Sequence, residues 1–182
     1  MSKLYMMVGI PASGKSTFCK QKEKEGAVVY ATDIIRGELF GDEAIQYTDQ
    51  WLKENGYTGG DEHFEKFSFA NPIIFSILYD RINEALRKGL DVVADATNIS
   101  KKARQFFLSR CGMNATEIHA VVICTPLEIS LERNKNRERT IDENELYRIA
   151  GNYEEPTIDE GFTDIEFIGD KKSINYGKSY KE

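Results

Sequence analysis

The octapeptide Gly9-Ile10-Pro11-Ala12-Ser13-Gly14-Lys15-Ser16 constrains this chain more than any other segment. It satisfies the spacing Gly-x-x-x-x-Gly-Lys-Ser/Thr in full and follows the apolar run Leu4–Val8. A strand, a glycine-bounded loop and a helix onset are the context that such a loop needs. Gly9 and Gly14 admit backbone conformations closed to residues with a Cβ, so successive N–H groups turn inward. The helix expected to open at Gly14-Lys15 adds partial positive charge where phosphate oxygens sit. In this reading Lys15 reaches the β- and γ-phosphates of ATP, and the Ser16 hydroxyl ligates Mg2+. Pro11, Ala12, Ser13 and Thr17 complete the cradle. The alternative is a chance match in a glycine-bearing turn, which ordinary residue usage produces roughly once in 30,000 positions.

Further short apolar runs follow at Ala27–Ala31, Leu90–Ala94, Ile118–Cys124 and Ile165–Ile168. Segments of helical period separate them, which is the sequence form of a parallel α/β sheet. Helices are expected from Gly14-Lys15 to about Glu23, over Leu127–Asn134 and over Glu143–Gly151. Another is expected to start near Pro72, with Asn71 as its N-cap, because proline suits the first helical position. Its apolar face would run through Ile73, Ile77, Tyr79 or Asp80, and Ala85, and Gly89 would stop it. Ser100 caps a further helix carrying Ala103, Phe106, Phe107 and Arg110 on one side. No repeat or Pro/Ser-rich linker divides the 182 residues, so residues 1–182 read as one domain.

Residues 37–71 differ in kind. They hold seven aromatic side chains, and eight acidic against two basic ones. This is the expected site of an insertion of short helices and loops on the acceptor side. Its acidic walls repel a polyphosphate backbone, with screening beyond about 8 Å. Its aromatics either stack a base or form a small core of their own.

Three further clusters carry chemistry. Thr32-Asp33-Ile34-Ile35-Arg36 ends the second strand, where ligands of open α/β sheets bind. Asp33 would accept the proton of an attacking hydroxyl, and Arg36 would hold the acceptor's own phosphate. The bland alternative is a capping aspartate with an i,i+3 ion pair. Asp95, in Ala94-Asp95-Ala96-Thr97-Asn98, is placed to hold Mg2+ or its waters, unless the cluster is only a turn. Arg133-Asn134-Lys135-Asn136-Arg137, in a lid region over residues 133–150, would bring cations to the phosphoryl oxygens. Arg133 and Arg137 would then share one helix face at i,i+4, against the alternative of a solvated charged surface.

Composition removes other classes. No apolar run approaches the roughly 18–20 residues of a spanning helix, and the N-terminus lacks the features of a secretory signal. Three cysteines without a CxxC pair point to a reduced cytoplasm and away from a disulfide framework. Two distant histidines leave no material for a zinc site. A net charge of −6 works against broad binding of nucleic-acid backbone. Asn134-Lys135-Asn136 breaks the guanine-reading Asn-Lys-x-Asp of GTPases.

Gly9–Ser16, Asp33-x-x-Arg36, Asp95-Ala-Thr-Asn98 and Arg133–Arg137, in this order, resemble the P-loop kinases of the polynucleotide 5′-kinase type. That group includes the kinase domains of phage and bacterial end-healing enzymes and many bacterial kinases of the AAA-type ATP-binding family. The likeness extends from Leu4 to about Ile168, residues 37–71 excepted. It implies a doubly wound parallel sheet of the P-loop nucleoside-kinase group, with a helical insertion and an arginine-bearing lid. It further implies Asp33 as general base, Arg36 on the acceptor phosphate, Arg137 on the donor phosphates and Asp95 in support of the metal. The expected reaction is transfer from ATP to a hydroxyl, foremost a polynucleotide 5′-OH. A small nucleoside, sugar or antibiotic hydroxyl is the alternative acceptor, and a non-catalytic nucleotide-binding module is a third reading.

Overall fold

Five short strands form one all-parallel sheet in the order β2-β3-β1-β4-β5, the first four buried or half-buried and the edge strand β5 half-exposed. They are β1 (Lys3–Val8), β2 (Val28–Ala31), β3 (Val92–Asp95), β4 (Glu117–Cys124) and β5 (Asp164–Gly169). The structure is a computed structural model that describes residues 2–40, 60–137, 140–174 and 176, the side chains of 40 and 60–71 excepted. The α-helices are α1 (Lys15–Lys24), α2 (Thr32–Phe40), α3 (Gly60–Arg87), α4 (Lys101–Cys111), α5 (Leu127–Lys135) and α6 (Glu143–Gly151). None of the described helices is long and apolar enough to cross a membrane.

Parallel strands bury both faces, and β1 does so by alternation. Leu4 and Met6 pack with Val92, Ala94 and Ala120 under α2, α3 and α4, whereas Met7 packs with Val93, Val121 and Ile123 under Phe18 and Cys19 of α1. The chain thus leaves β1 toward one face and the adjacent β3 toward the other. Where neighbouring strands diverge in this way, a crevice opens at their carboxyl ends. Both the Gly9–Ser16 loop and Asp95 stand at that crevice.

The strands fall within one or two residues of the apolar runs, with Leu90 and Asp91 left outside β3 and Asp95 drawn into it as its last residue. Ser100 does cap α4, accepting a hydrogen bond from the Ala103 N–H at 3.3 Å. The third helix corrects the sequence reading. It begins at Gly60 rather than near Pro72, so Asn71 caps nothing and Pro72 lies inside it. Interior proline deletes one helical hydrogen bond, here to the carbonyl of residue 68, at a cost of about 3 kcal/mol. The buried stripe Ile74, Leu78, Ile82, Ala85 and Leu86 offsets this, each large aliphatic contributing about 1.5–3 kcal/mol. That stripe is shifted from the expected one, and Ile73 is 45% exposed. The segment expected as an insertion, 37–71, is described only at its two ends. Residues 37–40 close α2 and 60–71 open α3, while 41–59 lie outside the described residues.

Candidate active site

The loop between β1 and α1 is held on every side. The Gly9 N–H donates to the Thr97 carbonyl at 3.0 Å, and Asn98 Nδ2 donates to the Met7 carbonyl at 2.9 Å. A Cβ on Gly9 would come within 2.9 Å of Ser13 Oγ and would force that hydroxyl to turn away. Ala12 (φ 61°) and Gly14 (φ 102°) both take the left-handed region, which folds the loop back over itself before α1 begins.

Three of the loop carbonyls accept side-chain donors. Lys15 Nζ donates to Gly9 O and Ile10 O, both at 2.9 Å, and Thr125 Oγ1 and Arg133 Nη1 donate to Ser13 O at 2.7 and 3.2 Å. Tyr176 steadies Thr125 in turn by donating its hydroxyl to the Thr125 carbonyl at 2.6 Å. Groups that would repel an anion are thereby neutralised, and the N–H groups at the start of α1 remain for phosphate oxygens. Ser13 Oγ is buried with no partner among the described residues. An orphaned hydroxyl beside a cradle that a Cβ would fill suits a phosphate group.

Four charged groups from four elements share one electrostatic environment. Lys15 feels Asp95, Arg137 and Asp33, and Asp95 feels Lys15, Asp33 and Arg137. Asp95 ends β3 opposite Ala31, and Asp33 follows two residues later in the first turn of α2. Burial pushes the Lys15 ammonium down, and Asp95 works against that shift. Burial likewise pushes the Asp95 carboxyl up against the pull of Lys15. Desolvation outweighs attraction in both members of the pair. The Cys19 thiol, one turn after Lys15, hydrogen-bonds Asp95 and is pushed up to about 12, chiefly by burial.

Ser16 and Thr17 are exposed at the start of α1, Asp33 is exposed, and Arg36 is buried one turn after it. Among the described residues no three His, Cys, Asp or Glu side chains cluster as a metal cage. One hydroxyl and one carboxylate beside a phosphate site match Mg2+, which keeps several waters and takes few protein ligands.

The lid arginines do not form the expected helical pair. Helix α5 ends at Lys135, and Arg137 lies in the turn beyond it, its N–H bonded to the Asn134 carbonyl at 3.2 Å. Asn134 fixes this turn from both sides: its Nδ2 donates to Ile141 O at 2.7 Å and its Oδ1 accepts the Ile141 N–H at 3.0 Å. Arg133 instead lies on the loop, 3.5 Å from where a Gly14 Cβ would be.

Sequence reasoning missed two supports. Thr125 follows β4 with nothing local to mark it. Arg104 carries no local signal in the sequence, yet it is fully buried and spans the site's underside. Its guanidinium grips both carboxylate oxygens of Glu160 at 2.8 Å and donates to the carbonyls of Asn98, Ile99 and Glu154. The loop that accepts the Gly9 N–H is therefore itself clamped.

The profile of the AAA domain family, AAA_33, matches residues 4–156. Among solved structures, a protein of Chloroflexus aurantiacus classed as a kinase aligns with a TM-score of 0.65 at 12% identity, over 92% of this chain and 84% of that one. A sugar kinase from Janibacter aligns at 0.58 with 15% identity, over 92% and 83%. Both show the fold alone. The structure of the Pnkp1/Rnl/Hen1 complex aligns at 0.54 with 25% identity, over 72% of this chain and 38% of the matched one. No curated protein matches the sequence.

Proposed function

The chain belongs to the AAA domain family, a P-loop kinase family, and on that footing we propose that it transfers the γ-phosphate of ATP to a hydroxyl acceptor. The observation that carries this reading is the shared field of Lys15, Asp33, Asp95 and Arg137 around the Gly9–Ser16 loop. Asp33 takes the proton of the incoming hydroxyl. Lys15 exchanges its two loop carbonyls for phosphate oxygens, and Arg133 and Arg137 approach the same charge from the lid. Arg36 contacts a phosphate on the acceptor. Ser16 and Asp95 would hold Mg2+, which would supply neutralisation of the phosphate charge.

The acceptor we propose is the 5′-hydroxyl of a nucleic-acid end, supported by the match to the Pnkp1/Rnl/Hen1 complex. A small-molecule hydroxyl is the second reading, favoured by the acidic balance of residues 37–71. Incubation of the protein with labelled ATP and 5′-OH oligonucleotides tests the first, and a pooled nucleoside and sugar screen tests the second. Asp33→Ala is expected to cut transfer by about 10²–10⁴-fold while ATP still binds. Equal turnover by the variant would remove the base from Asp33.

A further inference from the structure

A cavity of about 750 Å³ lies beside the phosphate loop, between α3, α4 and the end of α6. Its floor is the segment 96–100 that leaves β3. Thr97 in that floor accepts the Gly9 N–H and stands two residues past Asp95, so at most about 7 Å of extended chain separates them. The cavity therefore abuts the reacting centre on the side of β3.

Its walls are aromatic. Tyr79 stands at the centre, tilted against Phe75 at 5.9 Å and edge-on to Phe106 and Phe107 at 6.3 and 5.3 Å. The Arg110 guanidinium lies over the Phe106 ring at 5.1 Å. Phe106 is 53% exposed, so ring surface remains open at the mouth. Burial pushes the Tyr79 phenol up to about 12, which keeps it a neutral donor. Ser76, Thr97, Asn98, Ser100 and Asn152 in the lining are polar partners open to the heteroatoms of a ring as to the hydroxyls of a sugar. Aliphatic ligands need neither ring edges nor a stacking cation. Planar aromatic rings use both, by edge-to-face packing and by guanidinium stacking. The volume falls within the usual span of small-ligand pockets.

We propose that this cavity is a ring-binding subsite that takes the nucleobase of the hydroxyl acceptor, between the rings of α3 and the Phe106–Arg110 face of α4. The assignment rests on the kinase reading above and narrows its acceptor to one bearing a base. A free nucleoside and the end residue of a strand both present the same ring.

Binding decides the assignment without turnover. With the ATP site saturated by Mg2+ and the β,γ-imido analogue of ATP, the protein is titrated calorimetrically with adenosine, guanosine, cytidine and uridine. At least one should bind, and Ser76→Trp, an exposed α3 position facing the cavity, should weaken it tenfold or more. Arg110→Ala, also exposed, should weaken it severalfold while leaving the fold intact by circular dichroism. Binding of none of the four, or binding unchanged in both variants, overturns the subsite. Transfer assays then separate the sources. A 5′-OH tetranucleotide whose first residue is abasic should show a KM at least tenfold above its base-bearing counterpart if the ring comes from a strand, with the KM for ATP unmoved. A nucleoside phosphorylated in preference to either identifies the free form. Nucleoside binding that Ser76→Trp abolishes, without transfer to any acceptor, would keep the cavity and sink the kinase reading.

Discussion

Lys15 and Asp95 face each other in surroundings that favour the neutral form of both. For Asp95 the consequence has a definite sign. A carboxyl whose folded value is raised above its ordinary 3.8 stays protonated in the fold over a range where the unfolded chain has ionised. Stability then falls as pH rises through that range and levels off above the raised value. Asp95→Asn removes the ionisation. The variant is expected to resist urea better than the parent at pH 7, with the gain shrinking as pH falls toward 3.8. Urea melts of both proteins at pH 7 and pH 5 check the slope, and a gain that does not depend on pH would contradict it. The same variant should bind Mg2+–ATP more weakly. The stability gain and the loss of binding are two results of one desolvated carboxylate, a common trade at functional sites.

Among the elements, α3 is where local and global preferences disagree. Proline at the first position of a helix and proline in its interior look identical over a window of a few residues. Their substitutions differ in sign. If α3 began near Pro72, alanine there would be neutral or slightly harmful, since the missing N–H would have had no partner. Because α3 runs from Gly60 through Pro72, alanine restores a hydrogen bond and relieves a clash. Pro72→Ala is expected to stabilise by about 1–3 kcal/mol in denaturant melts. Pro72 also lines the cavity, so nucleoside affinity should be followed in the same variant. The lid shows the same limit of local reading. Arg133 and Arg137 are spaced for one helix face, but α5 stops at Lys135, and Asn134 bends the chain so that the two arginines serve different groups.

Across the whole molecule, the Arg104–Glu160 pair ties α4 and the segment after α6 to the floor of the phosphate loop. Both side chains are fully buried, and the guanidinium satisfies five acceptor atoms. Removing one partner leaves a buried charge alone, so Arg104→Ala should cost about 3–5 kcal/mol, read from chemical denaturation. Glu160→Gln should cost a comparable amount, because it leaves the Arg104 guanidinium buried without a counter-charge and turns an amide N–H toward one of its donors. Addition of 0.5 M salt should change the parent's stability little, as the pair is shielded from solvent. The phosphate loop, the five strand runs, the Ser100 cap and the residue types of the candidate site were legible in the sequence, because each depends on near neighbours: a glycine spacing, an apolar period, a side chain three residues from an N–H. The strand order, the meeting of Asp33, Asp95, Arg137 and Lys15, the burial of Arg104 and the aromatic cavity beside the loop were decided by the tertiary structure. All of these are set by desolvation and contact between segments tens of residues apart, and no local pattern records which distant surface will exclude water from a given side chain.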